Sequence, residues 1–153
     1  MSDFTAYRML RANWIHPPNV EAWLRTMAIG KTLNVCCGLS RVGDVRVDTD
    51  ENTNRTEAGD LFDLRFEEAS FDTVICDPPF AYYNTFKWCQ NLASIATKRL
   101  ILSIDRSMPF LKRAAWNPQP DLYAFVPEPF KSTYIRLFMV WNRNNELLGD
   151  ISS

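Results

Sequence analysis

Short, nearly uninterrupted apolar runs recur along the chain, and each closes on a small or acidic residue. TLNVCC runs into Gly38, DVRVD ends on Asp48, FDTVICD on Asp77 and RLILSID on Asp105. DVRVD apart, which alternates, runs of this length read as strands buried on both faces of a parallel sheet. GDLFDLRF adds a weaker strand-like piece around Ala58–Leu61. Helical spacing appears in VEAWLRTMA, which HPP precedes, Asn19 can cap and Gly30 stops, and again in AYYNTFKWCQNLASIAT. Residues 3–13 and SMPFLKRAAW also read as helices. At the end, DLYAFVP and YIRLFMVWNR flank a proline-containing turn and predict an antiparallel hairpin.

Strands alternating with helices in this way specify an α/β fold, with a mainly parallel sheet covered on both faces. Such sheets bind ligands outside the carboxyl ends of their strands, at the point where strand order reverses. Gly38, Asp48, Asp60 and Asp77 each follow a strand's carboxyl end, so they are expected along one edge.

LNVCCGLS closing a first strand, an acid closing the second, GDLFDL, and FDTVICDPPF closing the fourth resemble a class I S-adenosylmethionine-dependent methyltransferase. The likeness is strongest to its amino-methyltransferase branch, of the N6-adenine type. There the fourth strand ends in Asp, Asn or Ser, then two prolines and an aromatic residue. The resemblance spans roughly Thr32 to Arg143, and Asp77 stands 39 positions after Gly38. It implies a Rossmann-like class I methyltransferase sheet, mostly parallel with a C-terminal antiparallel hairpin. It also implies a single methyltransferase domain over residues 1–153, with a helical segment at 1–30, a catalytic core at 32–143 and a tail at 144–153.

The chemistry of the motif follows from its target. An exocyclic amine is a poor nucleophile because its lone pair is delocalised, and it carries two N–H donors. The Asp77 carboxylate and the Pro78 carbonyl offer two acceptors that would hold such a nitrogen and draw it toward tetrahedral geometry. Pro78 and Pro79 lock φ and contribute no N–H to compete for those acceptors. The stretch Asp77, Pro78, Pro79 and Phe80 is therefore a rigid, acceptor-only cradle, acting by positioning and preorganised electrostatics. Phe80 would stack on a planar substrate extruded from its neighbours. Tyr82 or Tyr83 is expected near the substrate mouth, with Phe86 inside.

On the cofactor side, the resemblance assigns S-adenosyl-L-methionine to Asn34, Cys36, Cys37 and Gly38 on the first loop. It further assigns Asp48 to the ribose hydroxyls, Asp60 to the adenine amino group and Leu61 to the ring, with Asp77 bordering the same site. Two departures accompany it. Of the family's three loop glycines, only Gly38 stands here, with Cys36 and Ser40 at the other positions. Ten positions separate Gly38 from Asp48, too few for the usual crossover helix. The crossover between strands 1 and 2 is therefore expected to shrink to LSRVGD, or the two strands to be arranged differently. Arg41 or Asp44 would fill the gap.

Composition narrows the partners. The net charge of −1 conceals ten acids against three arginines between Asp44 and Asp72. It also conceals a basic run of Lys98, Arg99, Arg106, Lys112 and Arg113, which suits an anionic polymer if it lies beside the site. The resemblance, with Asp at the head of the tetrapeptide, implies an amino group of a nucleic-acid base, adenine N6 in DNA or RNA above others. Readings as a non-catalytic S-adenosylmethionine- or nucleotide-binding scaffold, or as a methyltransferase for a protein amide or small-molecule amine, remain open. Specific DNA interfaces bury on the order of 1,000–2,500 Å², and no separate recognition domain is visible. A homodimer or partner subunit is the expected remedy. Cys36, Cys37, Cys76 and Cys89 do not have zinc-module spacing, so no metal is expected. They read as buried thiols, with Cys37 and Cys76 close if their strands are neighbours. No apolar run approaches a membrane span and no signal pattern opens the chain, so a cytoplasmic location is expected.

Overall fold

The computed structural model describes residues 18–78, 85–103, 111–113, 115–127 and 135–143. Helix α1 (Pro18–Met27) leads into β1 (Thr32–Val35), β2 (Val45–Asp48) and the short β3 (Glu57–Ala58). A 3₁₀ turn at Leu61–Asp63 precedes β4 (Phe71–Cys76), helix α2 (Thr85–Ile95), β5 (Ala96–Ser103), β6 (Leu122–Pro127) and β7 (Ile135–Asn142).

Among the described residues, seven strands form one sheet in the order β3-β2-β1-β4-β5-β7-β6. The first five are parallel: Val35 pairs with Val47 on one side and with Cys76 on the other, and Cys76 in turn pairs with Leu102. β7 runs antiparallel to β5, and β6 to β7, which is the expected closing hairpin.

Alternation along the strands builds two buried layers. Val74, Cys76, Leu100, Leu102, Met139 and Trp141 face one side, where Trp88, Cys89, Leu92 and Ile95 of α2 cover them. Ile75, Ile101, Phe138 and Val140 face the other, under Val20 and Leu24 of α1. Each such side chain contributes roughly 1.5–3 kcal/mol when fully buried, so the helices are held mainly by these stripes. No helix among the described residues is long and apolar enough to cross a membrane.

The shortened crossover is real, and residues 36–44 contain no helix. Val42 is buried in the same layer as α1 and takes over part of the covering that a crossover helix would give. The Asn34 amide donates to Ser40 Oγ (3.2 Å) and the Val42 carbonyl (3.0 Å), and Val42 N–H donates to Ser40 Oγ (3.2 Å). Asp44 then closes the loop at the amino end of β1. Its N–H donates to the Thr32 carbonyl at 2.9 Å and its carboxylate accepts the Thr32 N–H at 2.8 Å.

Several elements differ from the sequence expectation. α1 starts at Pro18, so Asn19 lies within the helix instead of capping it; proline is well suited to a first helical turn. β3 occupies Glu57–Ala58 and ends before Leu61, because Asp60 caps the 3₁₀ turn. The described part of SMPFLKRAAW is not helical: Leu111 N–H donates to Pro118 and Trp116 N–H to Arg113, both at 3.0 Å, making turns. The helix read at 3–13 and the tail at 144–153 lie outside the described residues.

Candidate active site

Strand order reverses between β1 and β4, since β2 and β3 lie to one side and β5 to the other. The carboxyl ends of these strands therefore bring the loop after β1, Asp48, Asp60 and Asp77 to a single edge, with the reversal between Cys36 and Asp77. The loop after β1 has two left-handed residues, Cys36 (φ 55) and Gly38 (φ 53). That conformation costs an L-residue roughly 1–2 kcal/mol, and glycine little. Cys36 thus holds, against its own preference, a backbone shape that the aligned glycine would adopt freely.

Asp48 organises this edge. Its Oδ2 accepts the Gly38 N–H at 2.9 Å and its Oδ1 accepts the Asp50 N–H at 3.0 Å. Cys37 N–H donates to the Val47 carbonyl at 3.1 Å, and Gly59 N–H to the Asp48 carbonyl at 3.2 Å. Asn54, which the sequence reading passed over, braces the loop from the β2–β3 connection. Its N–H donates to the Gly38 carbonyl at 2.9 Å and its amide to the Leu39 carbonyl at 2.7 Å. An asparagine in a polar loop carries no signal of a contact 16 positions back (54 − 38). Asp60 accepts the Phe62 N–H at 3.0 Å through Oδ1 and is exposed.

Solved structures share this fold. Among them is a TehB-like SAM-dependent methyltransferase from Corynebacterium glutamicum, matched at a TM-score of 0.53 and 14% identity over 91% of this chain and 95% of that one. Another is the PH0226 protein from Pyrococcus horikoshii, at a TM-score of 0.52 and 14% identity over 90% of this chain and 91% of that one. The shared architecture is a Rossmann-like class I methyltransferase sheet, mostly parallel and closed by antiparallel strands. No family model and no curated protein matches the chain.

Within that sheet the sequence-chosen residues divide. Gly38, Asp48 and Asp60 stand at the carboxyl edge with their backbones or carboxylates facing the loops. Asp77 and Pro78 follow β4 there and are half-buried. Pro79, Phe80, Tyr82 and Tyr83, and the side chain of Phe86, lie outside the described residues. Asn34 is buried, and its side-chain amide donates to Ser40 Oγ and the Val42 carbonyl, which shapes the loop. Leu61 is likewise buried, packed in the layer that contains Val47. The Cys37 thiol is buried as well. Burial, and then the neighbouring Asp48 carboxylate, push its pKa up to about 12, so it is a neutral thiol at ordinary pH. The strand pairing sets Cys36, not Cys37, beside Cys76, because Val35 is the partner of Cys76.

The gap left by the short crossover is not filled by Arg41 or Asp44. Asp44 is bonded to Thr32 at the amino end of the strands, and Arg41 is exposed with its N–H on Glu21 at 3.3 Å. Of the basic run, Arg106 lies outside the described residues, and Lys98, Arg99 and Arg113 are engaged elsewhere. Lys98 pairs with Asp72 at 3.0 Å near the start of β5, Arg99 is bonded to Asn142 and the Met27 carbonyl, and Arg113 reaches Glu68 at 3.4 Å. These residues lie toward the amino edge of the sheet, where Arg113 lines a cleft of about 250 Å³ with Glu68, Ser94, Trp116 and Arg143. They are on the opposite side from Asp48 and Asp77.

The carboxyl edge fits a nucleoside-bearing cofactor. An ionised carboxylate offers about four lone-pair sites, and the loop occupies one on each oxygen of Asp48. Acceptor capacity for a ribose diol remains, and the exposed Asp60 commits one oxygen to the Phe62 N–H.

Proposed function

We propose that this chain is an S-adenosylmethionine-dependent methyltransferase acting on the exocyclic amino nitrogen of a nucleic-acid base, with adenine N6 in DNA or RNA as the preferred target. The observation that carries this reading is the position of Asp77–Pro78. They lie at the carboxyl end of β4, across the strand-order reversal from the Cys36–Gly38 loop that Asp48 fastens.

The cofactor supplies an electrophilic methyl group on a positively charged sulfur. Everything else falls to the chain. Asp48 accepts from the ribose hydroxyls while holding the Gly38 amide. Asp60 accepts from the adenine amino group with its remaining oxygen. The Asp77 carboxylate and Pro78 carbonyl accept the two protons of the target amine, so that its lone pair points across the cleft; Phe80 covers the flat ring. Asp77 orients first and takes a proton second, after methylation has made the nitrogen acidic. Positioning of this kind lowers the barrier without a strong base.

Lys98, Arg99 and Arg113 stand toward the opposite edge and add no cationic track beside Asp48 and Asp77. Recognition of a polymer is therefore assigned to a second copy of the chain or a partner subunit.

A second reading has its own support. The strained Cys36 and the missing crossover helix suit a scaffold that holds the cofactor without using it. Incubation with labelled S-adenosylmethionine and total nucleic acid, followed by nucleoside mass spectrometry, separates the two. N6-methyladenine formation supports the enzyme. Cofactor binding by calorimetry without transfer to nucleic acid, protein or small amines supports the scaffold.

A further inference from the structure

The left-handed backbone at Cys36 has a chemical consequence. Val35 is the direct partner of Cys76 across β1 and β4, so Cys36 lies one residue along the diagonal. Neighbouring strands are about 4.8 Å apart and residues rise about 3.3 Å. The Cys36 and Cys76 Cα atoms are therefore about 6 Å apart, inside the range of roughly 4.4–6.8 Å that a disulfide spans. In an unbroken strand Cys36 would face the opposite side from Val35 and Cys76. The positive φ of 55 breaks that alternation and packs Cys36 against the same buried layer that holds Cys76 and Cys89. The nearness of Cys36, after burial, contributes to holding the Cys76 thiol well above its ordinary pKa. Cys36 is half-buried, whereas Cys76 is sealed. Solvent thus reaches the Cys36 residue and not Cys76.

We propose that Cys36 and Cys76 are an oxidative crosslink site, joined by a hydroperoxide oxidant, and that the disulfide closes the cofactor loop against the end of β4. The functional half of this inference rests on the cofactor reading above. The Cys36 thiolate attacks a peroxide oxygen, the O–O bond breaks, and water leaves after protonation, giving a sulfenic acid. The Cys76 sulfur then attacks the Cys36 sulfur, the S–O bond breaks, and a second water carries off the Cys76 proton. Two thiols lose two electrons, and one hydrogen peroxide becomes two waters. Burial raises the Cys76 pKa, so Cys76 serves as the resolving sulfur and Cys36 as the one attacked first. The bond draws the two sulfurs to about 2.05 Å, and ties together the two strand ends between which the cofactor and the target must meet.

The test treats the full chain with equimolar hydrogen peroxide, then maps non-reduced peptides by mass spectrometry and measures S-adenosylmethionine affinity by calorimetry. The expected result is a Cys36–Cys76 peptide two hydrogens lighter. It should be accompanied by an affinity loss of about tenfold or more, the scale of one charge-assisted hydrogen bond, reversed by dithiothreitol. Cys37→Ser keeps the crosslink. Cys76→Ala and Cys36→Gly abolish it, and Cys76→Ala instead accumulates a dimedone-trapped sulfenic acid on Cys36. A trapped Cys36 with a free Cys76 thiol in the unsubstituted protein would overturn the site. A crosslinked protein of unchanged affinity would overturn the closure. Failure of the reduced protein to bind cofactor counts against the functional reading alone, because the peptide map decides the crosslink without it.

Discussion

The Gly38 amide donates to Asp48 Oδ2 at 2.9 Å, which fastens the loop leaving β1 to the last residue of β2. With no helix in the crossover, this bond and the Asn54 contacts carry the shape of the loop. A residue expected to hold the cofactor is thus also the residue that builds the site.

Asp48→Ala should therefore act twice. It removes the acceptor for Gly38 and Asp50, and hydrogen bonds to charged groups contribute about 1.5–3 kcal/mol each, so a drop of about 2 kcal/mol in unfolding free energy is expected. Cofactor affinity should fall about tenfold or more as well. Asp48→Asn keeps an acceptor for the Gly38 amide and should recover most of the stability. Affinity that recovers in step with stability would show that Asp48 only builds the loop.

Asp77→Ala is expected to abolish methyl transfer while leaving cofactor affinity within a few fold, because its acceptor faces the target amine. Asp77→Asn should retain a small residual rate, since an amide oxygen still accepts one N–H. Single-turnover transfer rates beside calorimetric affinities check both. An alanine variant with full activity would remove the cradle from the mechanism.

The sheet was legible because its central strands are buried on both faces: TLNV is buried throughout and FDTVIC at every position but Asp72, while VRVD, buried only at Val47, was marked by its two valines. The gathering of Gly38, Asp48, Asp60 and Asp77 at one edge followed from parallel strands alone. What the pattern hid were contacts that local periodicity does not encode. Asn34 and Leu61 were chosen from a motif, yet packing turns both inward. Asn54 reaches Gly38 and Leu39 through loop geometry that has no period. Lys98 and Arg99 looked like a polymer-binding track in sequence, but their place at the start of a parallel strand fixes them to the far edge, where Asp72 and Asn142 engage them.

Gly30→Ala should destabilise the protein strongly for a surface turn. Gly30 has a φ of +60, and a Cβ there would overlap the Asp72 carboxylate. The backbone alone costs roughly 1–2 kcal/mol, and displacing Asp72 from the Lys31 N–H adds to it. At about 2–4 °C per kcal/mol for a chain of this size, a melting-point loss of roughly 5–10 °C is expected. In an Asp72→Ala background the same substitution should cost only the backbone part, so the two changes are non-additive. Strict additivity in thermal melts would show that the carboxylate is not the obstacle.

Asp72 also sets an acid limit on the fold. Its carboxylate accepts the Lys31 N–H at 2.9 Å, pairs with Lys98 at 3.0 Å and accepts the Thr97 hydroxyl at 3.2 Å. These contacts, the Lys31 N–H first, hold its pKa below the ordinary value of 3.8. A depressed carboxylate pKa means the unfolded chain takes up the proton first as pH falls. The stabilisation is therefore complete above the unfolded value and disappears as pH drops through the folded one. Asp72→Asn should lower the melting temperature at pH 7, and the gap from the unsubstituted protein should narrow steadily below about pH 4. Melting curves collected from pH 7 to pH 2.5 measure that gap directly. A gap that stays constant across the range would mean that the charge on Asp72 contributes nothing and that its hydrogen-bonding shape alone matters.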